Sequence, residues 1–153
     1  MKLTLAILAA LATAAPAFAE GDAVKGAAVF KQCQACHVVA DPDGNVLAGK
    51  ASKTGPNLYA VIGRVAGSYP EFKYGESMIA AGAAGLVWDE TTFVAYVQDP
   101  QAFLKERLAD KSAKGKMAFK VKNAEAAADV YAYLVSLAPI VDPAVAPAAP
   151  VAN

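Results

Sequence analysis

The run Cys33–Gln34–Ala35–Cys36–His37 constrains this chain more than any other feature. Two cysteines separated by two residues, with a histidine directly after the second, form the attachment signature of a c-type haem. The spacing has a chemical reason. Two thiols must reach the two vinyl groups of one porphyrin, and the next side chain must rise beneath the iron as its proximal ligand. The chain holds no other cysteine or histidine. One motif therefore means one covalent haem c, and His37 is the only imidazole available to its iron.

Other readings of the same residues are a zinc site, a redox dithiol and a disulfide. Zinc takes about four protein ligands, or three and a water, and here Cys33, Cys36 and His37 are the only thiolate or imidazole groups. A thioredoxin-like dithiol wants a strand before it and a helix beginning at the first cysteine, whereas the stretch before Cys33 reads as a helix. The haem reading is preferred, with a dithiol or disulfide as the alternative.

The N-terminus agrees. Lys2, the apolar run Leu3 to Leu11 and the ending Ala17–Phe18–Ala19 describe a secretory signal peptide, residues 1–19, cleaved after Ala19. The rest is expected to form one domain, 20–138, followed by a flexible Ala/Pro-rich tail, 139–153. An exported chain suits covalent haem attachment, so the periplasm is the expected location. The whole chain balances 14 basic against 14 acidic residues, which gives no reason to expect nucleic-acid binding. No second stretch is apolar and long enough to span a bilayer, and a monomer is expected.

Charge is distributed unevenly. Between Lys105 and Lys122, seven basic residues face only Glu106 and Asp110, a surplus of five. Such a run is either a solvated surface or a docking face that steers encounter with an acidic partner. The lysines concerned are Lys105, Lys111, Lys114, Lys116, Lys120 and Lys122.

The expected elements are helical. One helix spans Asp22 to about Cys33, capped by Asp22. Another covers Glu76 to Ala83. A third follows Asp89 through Gln98, with Trp88 placed to staple onto Phe93 and Pro100 as its limit. The last follows Asn123, carries Ala127, Tyr131, Leu134 and Ala138 at helical spacing, and stops at Pro139. Asp41–Pro42–Asp43–Gly44–Asn45 marks a turn. Nothing reads as a paired strand.

A sixth iron ligand must come from Met78, Met117, a lysine or nothing. Thioether sulfur favours ferrous iron and raises the reduction potential. Met78 lies in a helix where core filling is its default role, while Met117 sits in the glycine-containing stretch Lys114–Gly115–Lys116–Met117.

Taken in order, Cys33–His37, Thr54–Gly55–Pro56–Asn57–Leu58, Gly63–Arg64, Trp88 and Gly115–Lys116–Met117 resemble class I cytochromes c, most of all the bacterial cytochrome c2 group. The likeness runs from about Gly21 to Ala138. It implies an all-α class I cytochrome c fold, with short helices and loops wrapped around one covalently attached haem. It also implies that Met117 is the distal ligand and that the Pro56 carbonyl accepts the proton of His37. Arg64, Tyr74 and Trp88 are placed around the haem propionates, Tyr96 near the Met117 sulfur, and Gly26 and Phe30 against the last helix near Tyr133. Two departures stand out. Gly115 replaces a threonine common in mitochondrial members, which withholds a hydroxyl from the Met117 loop, and the loops at 38–53 and 104–113 are longer.

The function this resemblance implies is soluble one-electron carriage. The donor is a quinol-oxidising cytochrome bc complex, and the acceptor a photosynthetic reaction centre, a terminal oxidase or both. The competing reading is a haem enzyme or gas-binding protein with a labile distal methionine.

Overall fold

Asp22 opens the first helix as its sequence predicts. In this computed structural model, which describes residues 21–50 and 52–142, its carboxylate accepts the N–H groups of Val24 at 2.8 Å and Lys25 at 3.2 Å. Those are two of the amides that no helix can satisfy from within. The expected signal peptide and residues 143–153 of the expected tail lie outside the described residues.

Helix α1 runs Ala23–Phe30, ending three residues before the expected Cys33. Turns over 31–36 carry the winding onward, and the Cys33 carbonyl accepts from Cys36 N–H at 3.1 Å and His37 N–H at 2.9 Å. The attachment motif is thus held by its own backbone.

The C-terminal helix, labelled α5 by chain order, spans Ala124–Leu137 and is capped by Asn123, whose side chain accepts from Ala126 N–H at 2.8 Å. It packs on α1 at close range. A Cβ on Gly26 would fall 1.9 Å from the Asp129 carbonyl oxygen and 2.8 Å from Tyr133 Cβ, so only glycine allows the crossing. Beside it the fully buried Phe30 ring lies 5.5 Å from that of Tyr133. The buried Asp129 carboxylate is satisfied by the Asp22 N–H at 2.7 Å.

Three further helices lie between. They are α2 (Glu76–Ala83), α3 (Glu90–Gln98) and α4 (Pro100–Arg107). Asp89 and Thr92 close a reciprocal capping box on α3. The ring contacts differ from the expected staple: Trp88 meets Tyr96 and Phe103, while Phe93 meets Tyr131. Pro100 does more than end α3. It is the first residue of α4, where a missing N–H costs nothing, and the Asp99 carboxylate accepts from Ala102 N–H at 3.0 Å.

One correction concerns strands. Val38–Ala40 (β1) and Val46–Gly49 (β2) pair antiparallel, with a register irregularity between Val39 and Ala40. The Asp41 carboxylate folds the turn by accepting from Asp43 and Asn45 N–H. Strands of three and four residues are too short for alternation to show in sequence. The architecture is otherwise helical. After α5 the chain stays docked as far as Val141, whose N–H donates to the Ile62 carbonyl at 2.9 Å.

Candidate haem site

Among the described residues, α1, α2, α3 and α5 all contribute side chains to one cavity of about 390 Å³. Phe30, Met78, Phe93, Val97 and Val130 supply apolar wall from these helices. Cys33, Cys36 and His37 line it, and so does Met117. Two thiols, one imidazole and the thioethers of Met78 and Met117 on the wall of a single apolar cavity include the donor set that haem c requires. The residues present fit that group.

The histidine wall is rigid. His37 Nδ1 lies 2.9 Å from the Pro56 carbonyl oxygen. A carbonyl can only accept, so Nδ1 carries the proton and Nε2 keeps its lone pair. Such a bond fixes a ring's orientation and raises its basicity as a ligand. Burial lowers the pKa of His37, while the Pro56 bond works the other way. Gly55 backs the ring: a Cβ there would sit 2.6 Å from His37 Cε1 and 2.8 Å from Nδ1. Its N–H donates to the Cys36 carbonyl at 2.8 Å. The Asn57 carboxamide then clamps the ribbon, accepting from Ala40 N–H at 3.1 Å and donating to the Ala40 carbonyl at 2.7 Å. Cys33 and Cys36 are half-buried and unpaired. Burial, with Cys36 beside it, pushes the Cys33 thiol up to about 11.

Arg64, Tyr74, Trp88 and Tyr96 all reach the cavity. Arg64 donates to the Asn57 carbonyl at 3.1 Å and also to the Tyr59 carbonyl, and its guanidinium lies 5.1 Å from the centre of the Tyr69 ring. Burial lowers its pKa, opposed by Tyr74 and Tyr69. Burial raises that of Tyr74, and raises that of Tyr96 further, with Tyr74 adding to it. These shifts mark a site short of water, where a carboxylate would find Arg64 its strongest donor.

The methionine wall is a loop. Met117 is half-buried. Lys114 N–H donates to Ser77 Oγ at 2.9 Å, and Val121 N–H to the Val97 carbonyl at 2.8 Å. Between these points the Gln101 side chain accepts from Gly115 N–H at 2.9 Å and donates to the carbonyls of Gly115 and Met117, each at 3.0 Å. Gln101 carries no sequence signal for this role, and its three bonds tie down the backbone of a loop that has no threonine hydroxyl. Met78 also lines the cavity, but from α2 and buried in the core.

Lys105, Lys111, Lys114, Lys116, Lys120 and Lys122 are all exposed. Of these, only Lys116 borders the cavity. It donates to the Lys73 carbonyl and stands 5.5 Å from the centre of the Phe72 ring. Lys120 pairs with Asp99 at 2.6 Å.

No protein-family model matches this chain. Individual relatives do. Cytochrome c2 of Cereibacter sphaeroides is 54% identical over 142 residues, covering 90% of this chain and 98% of the relative. Cytochrome c2 of Rhodobacter capsulatus is 55% identical over 137 residues, covering 90% and 97%. The solved structure of cytochrome c2 from Rhodobacter sphaeroides superposes with a TM-score of 0.76 at 53% identity, covering 80% of this chain and 99% of that one. With identity above one half over nearly the full length of these relatives, and with the thiols, imidazole and thioether gathered on one cavity, the chain belongs to the cytochrome c2 family of small electron carriers with one covalent haem c, which are not enzymes.

Proposed function

We propose that this protein is a periplasmic one-electron carrier, attached to haem through Cys33 and Cys36, with His37 and Met117 as the axial ligands. The observation that carries this reading is the His37–Pro56 hydrogen bond. It commits Nδ1 and leaves Nε2 free to bind iron, in a cavity that Met117 also lines.

Bound haem supplies exchange between ferric and ferrous iron. The chain's part is to hold ligands and exclude water. Gly55 and Pro56 keep the imidazole in one orientation, so little rearranges when charge changes. The apolar wall favours the less charged state, and the thioether of Met117 favours ferrous iron; both raise the potential. With His37 and Met117 both holding iron, no protein-side position would be left for a substrate to coordinate. Arg64, Tyr74 and Trp88 would hold the haem propionates, and Tyr96, which lines the same cavity as Met117, would pack on the thioether side.

The donor in this reading is a cytochrome bc complex, and the acceptor a photosynthetic reaction centre, a terminal oxidase or both. Support comes from family membership and from the lysine surplus between 105 and 122, which suits brief, salt-sensitive encounters with acidic partners. The signal-like N-terminus supports export to the periplasm. The protein works as a monomer.

Potentiometric titration of Met117→Ala tests the ligation. The expected result is a potential lower by on the order of a few tenths of a volt, within the ~0.8 V span that axial ligands command, and an iron open to carbon monoxide. Met78→Leu should leave both nearly unchanged. If Met117→Ala keeps the wild-type potential while Met78→Leu loses it, Met78 is the ligand. A wild-type protein that binds carbon monoxide as readily as Met117→Ala would favour the gas-binding reading.

A further inference from the structure

We propose that Gln101 is a positioning residue for Met117, holding the loop that keeps the thioether over the cavity; this rests on the ligation proposed above. Gln101 is the second residue of α4, immediately after Pro100. Its carboxamide reaches a segment fourteen residues onward and meets three backbone groups there. Oε1 takes the Gly115 N–H at 2.9 Å, and Nε2 gives its protons to the Gly115 and Met117 carbonyls, each at 3.0 Å. The orientation is forced, because an amide N–H can only donate and a carbonyl only accept. A carboxamide is the neutral side chain that offers an acceptor and two donors on one planar end. Here both ends are spent on the two residues flanking Lys116.

The surroundings make the bracket stiff. Gly115 lies so near that an added Cβ would be 3.3 Å from Gln101 Nε2 and 3.2 Å from Leu104 Cδ1. Asp99, the cap of the same helix, pairs with Lys120 beyond the methionine at 2.6 Å. The loop's backbone near Met117 is thus tied to the start of α4. A thioether is a weak ligand, and an outside ligand can displace it only if this loop opens. Gln101 therefore sets how readily the iron is exposed, without touching the iron.

Imidazole binding to the ferric holoprotein measures that opening. Gln101→Leu keeps the side chain's bulk and removes all three bonds. The expected result is an apparent imidazole affinity about tenfold higher, the factor for roughly one net hydrogen bond, with the fall in potential confined to that opening. Lys120→Ala breaks the neighbouring surface pair and leaves Gln101 in place, so its affinity should change by less than about threefold. A Gln101→Leu holoprotein whose affinity stays within about twofold of wild type overturns the proposal. So does an equal rise in both variants, since the effect would then belong to the segment's general stability. Should Gln101→Leu fail to fold, hydrogen exchange in the wild-type holoprotein decides: the Gly115 amide should be protected, and exchange at the free rate overturns the bracket. Met117→Ala separates this proposal from its premise. An unchanged thioether spectrum in that variant sinks the ligation, whereas a lost one with an unresponsive Gln101→Leu sinks only the bracket.

Discussion

The two walls of the cavity are built on different principles. The histidine wall is close-range backbone: one winding of chain carries Cys33, Cys36 and His37, and Gly55 packs directly under the imidazole. The Asn57 carboxamide and the Pro56 carbonyl complete it from within one short segment. The methionine wall is a loop that owes its shape to a side chain from another helix and to an exposed ion pair between Asp99 and Lys120. Backbone packed at contact distance can be displaced only at a steep cost, while three hydrogen bonds at the edge of water exchange with solvent for about 1 kcal/mol each. On the ligation proposed above, the histidine side would be the nearly permanent one and the methionine side the first to yield.

The largest disturbance removes what both walls enclose. In the double variant Cys33→Ala, Cys36→Ala, prepared free of haem, neither a covalent link nor His37 and Met117 retain the group. An emptied cavity of about 390 Å³ corresponds to about 9 kcal/mol at ~24 cal/mol per Å³, comparable with the whole stability of a small domain. Circular dichroism should show no cooperative melt. A native-like melt would mean that the helices do not depend on the haem.

The same substitution on each wall sharpens the contrast. Gly55→Ala forces a Cβ to 2.6 Å from the imidazole and should cost about 1–3 kcal/mol, as overpacking does, read as a lower guanidinium midpoint. Gly115→Ala brings its Cβ to 3.2 Å from Leu104 Cδ1 and 3.3 Å from Gln101 Nε2, side-chain atoms that need give by only a few tenths of an ångström, and should cost under about 1 kcal/mol. Equal losses would remove the distinction between the walls.

The smallest effect is one of pH. The bond from Lys120 first, then that from Ala102 N–H, holds the Asp99 carboxyl below its ordinary value of 3.8. A carboxylate with a depressed folded pKa gives its full stability above the unfolded pKa and loses it as pH falls through the folded one. Acidification below about pH 4 should therefore raise the affinity of the wild type for neutral imidazole, once protonation of the free ligand is corrected for. Asp99→Asn should flatten that rise, and an identical acid profile in the variant would exclude Asp99 from the brace.

Much of this was legible because it is local. Asp22, Asp89 and Asn123 cap their helices through amides two or three residues away, a relation that a sequence displays directly. The attachment motif is likewise one contiguous run. Gly26 was readable as a close approach only through the family likeness. What escaped was either short or distant. The β1–β2 ribbon is too brief to carry a period, and Pro100 reads as a stop until Asp99 is seen capping the helix that begins there. Gln101 has no local signature at all: its meaning lies in Gly115 and Met117, across a turn that nothing nearby announces. Lys120 similarly gains its partner from Asp99, twenty-one residues earlier. The charge surplus was plain, yet only the folded chain separates Lys116 at the cavity from the other five lysines.

The most direct test of the unequal walls is a guanidinium titration of the ferric holoprotein, followed by two signals at once. The weak red absorption of iron–thioether charge transfer reports Met117. The fluorescence of Trp88, the only tryptophan in the chain, reports the core, because it is quenched while haem and ring stay close. The account predicts that the red band disappears at a clearly lower denaturant concentration than the one at which Trp88 brightens. Coincident transitions would contradict it, since the methionine wall would then be no weaker than the fold that carries it.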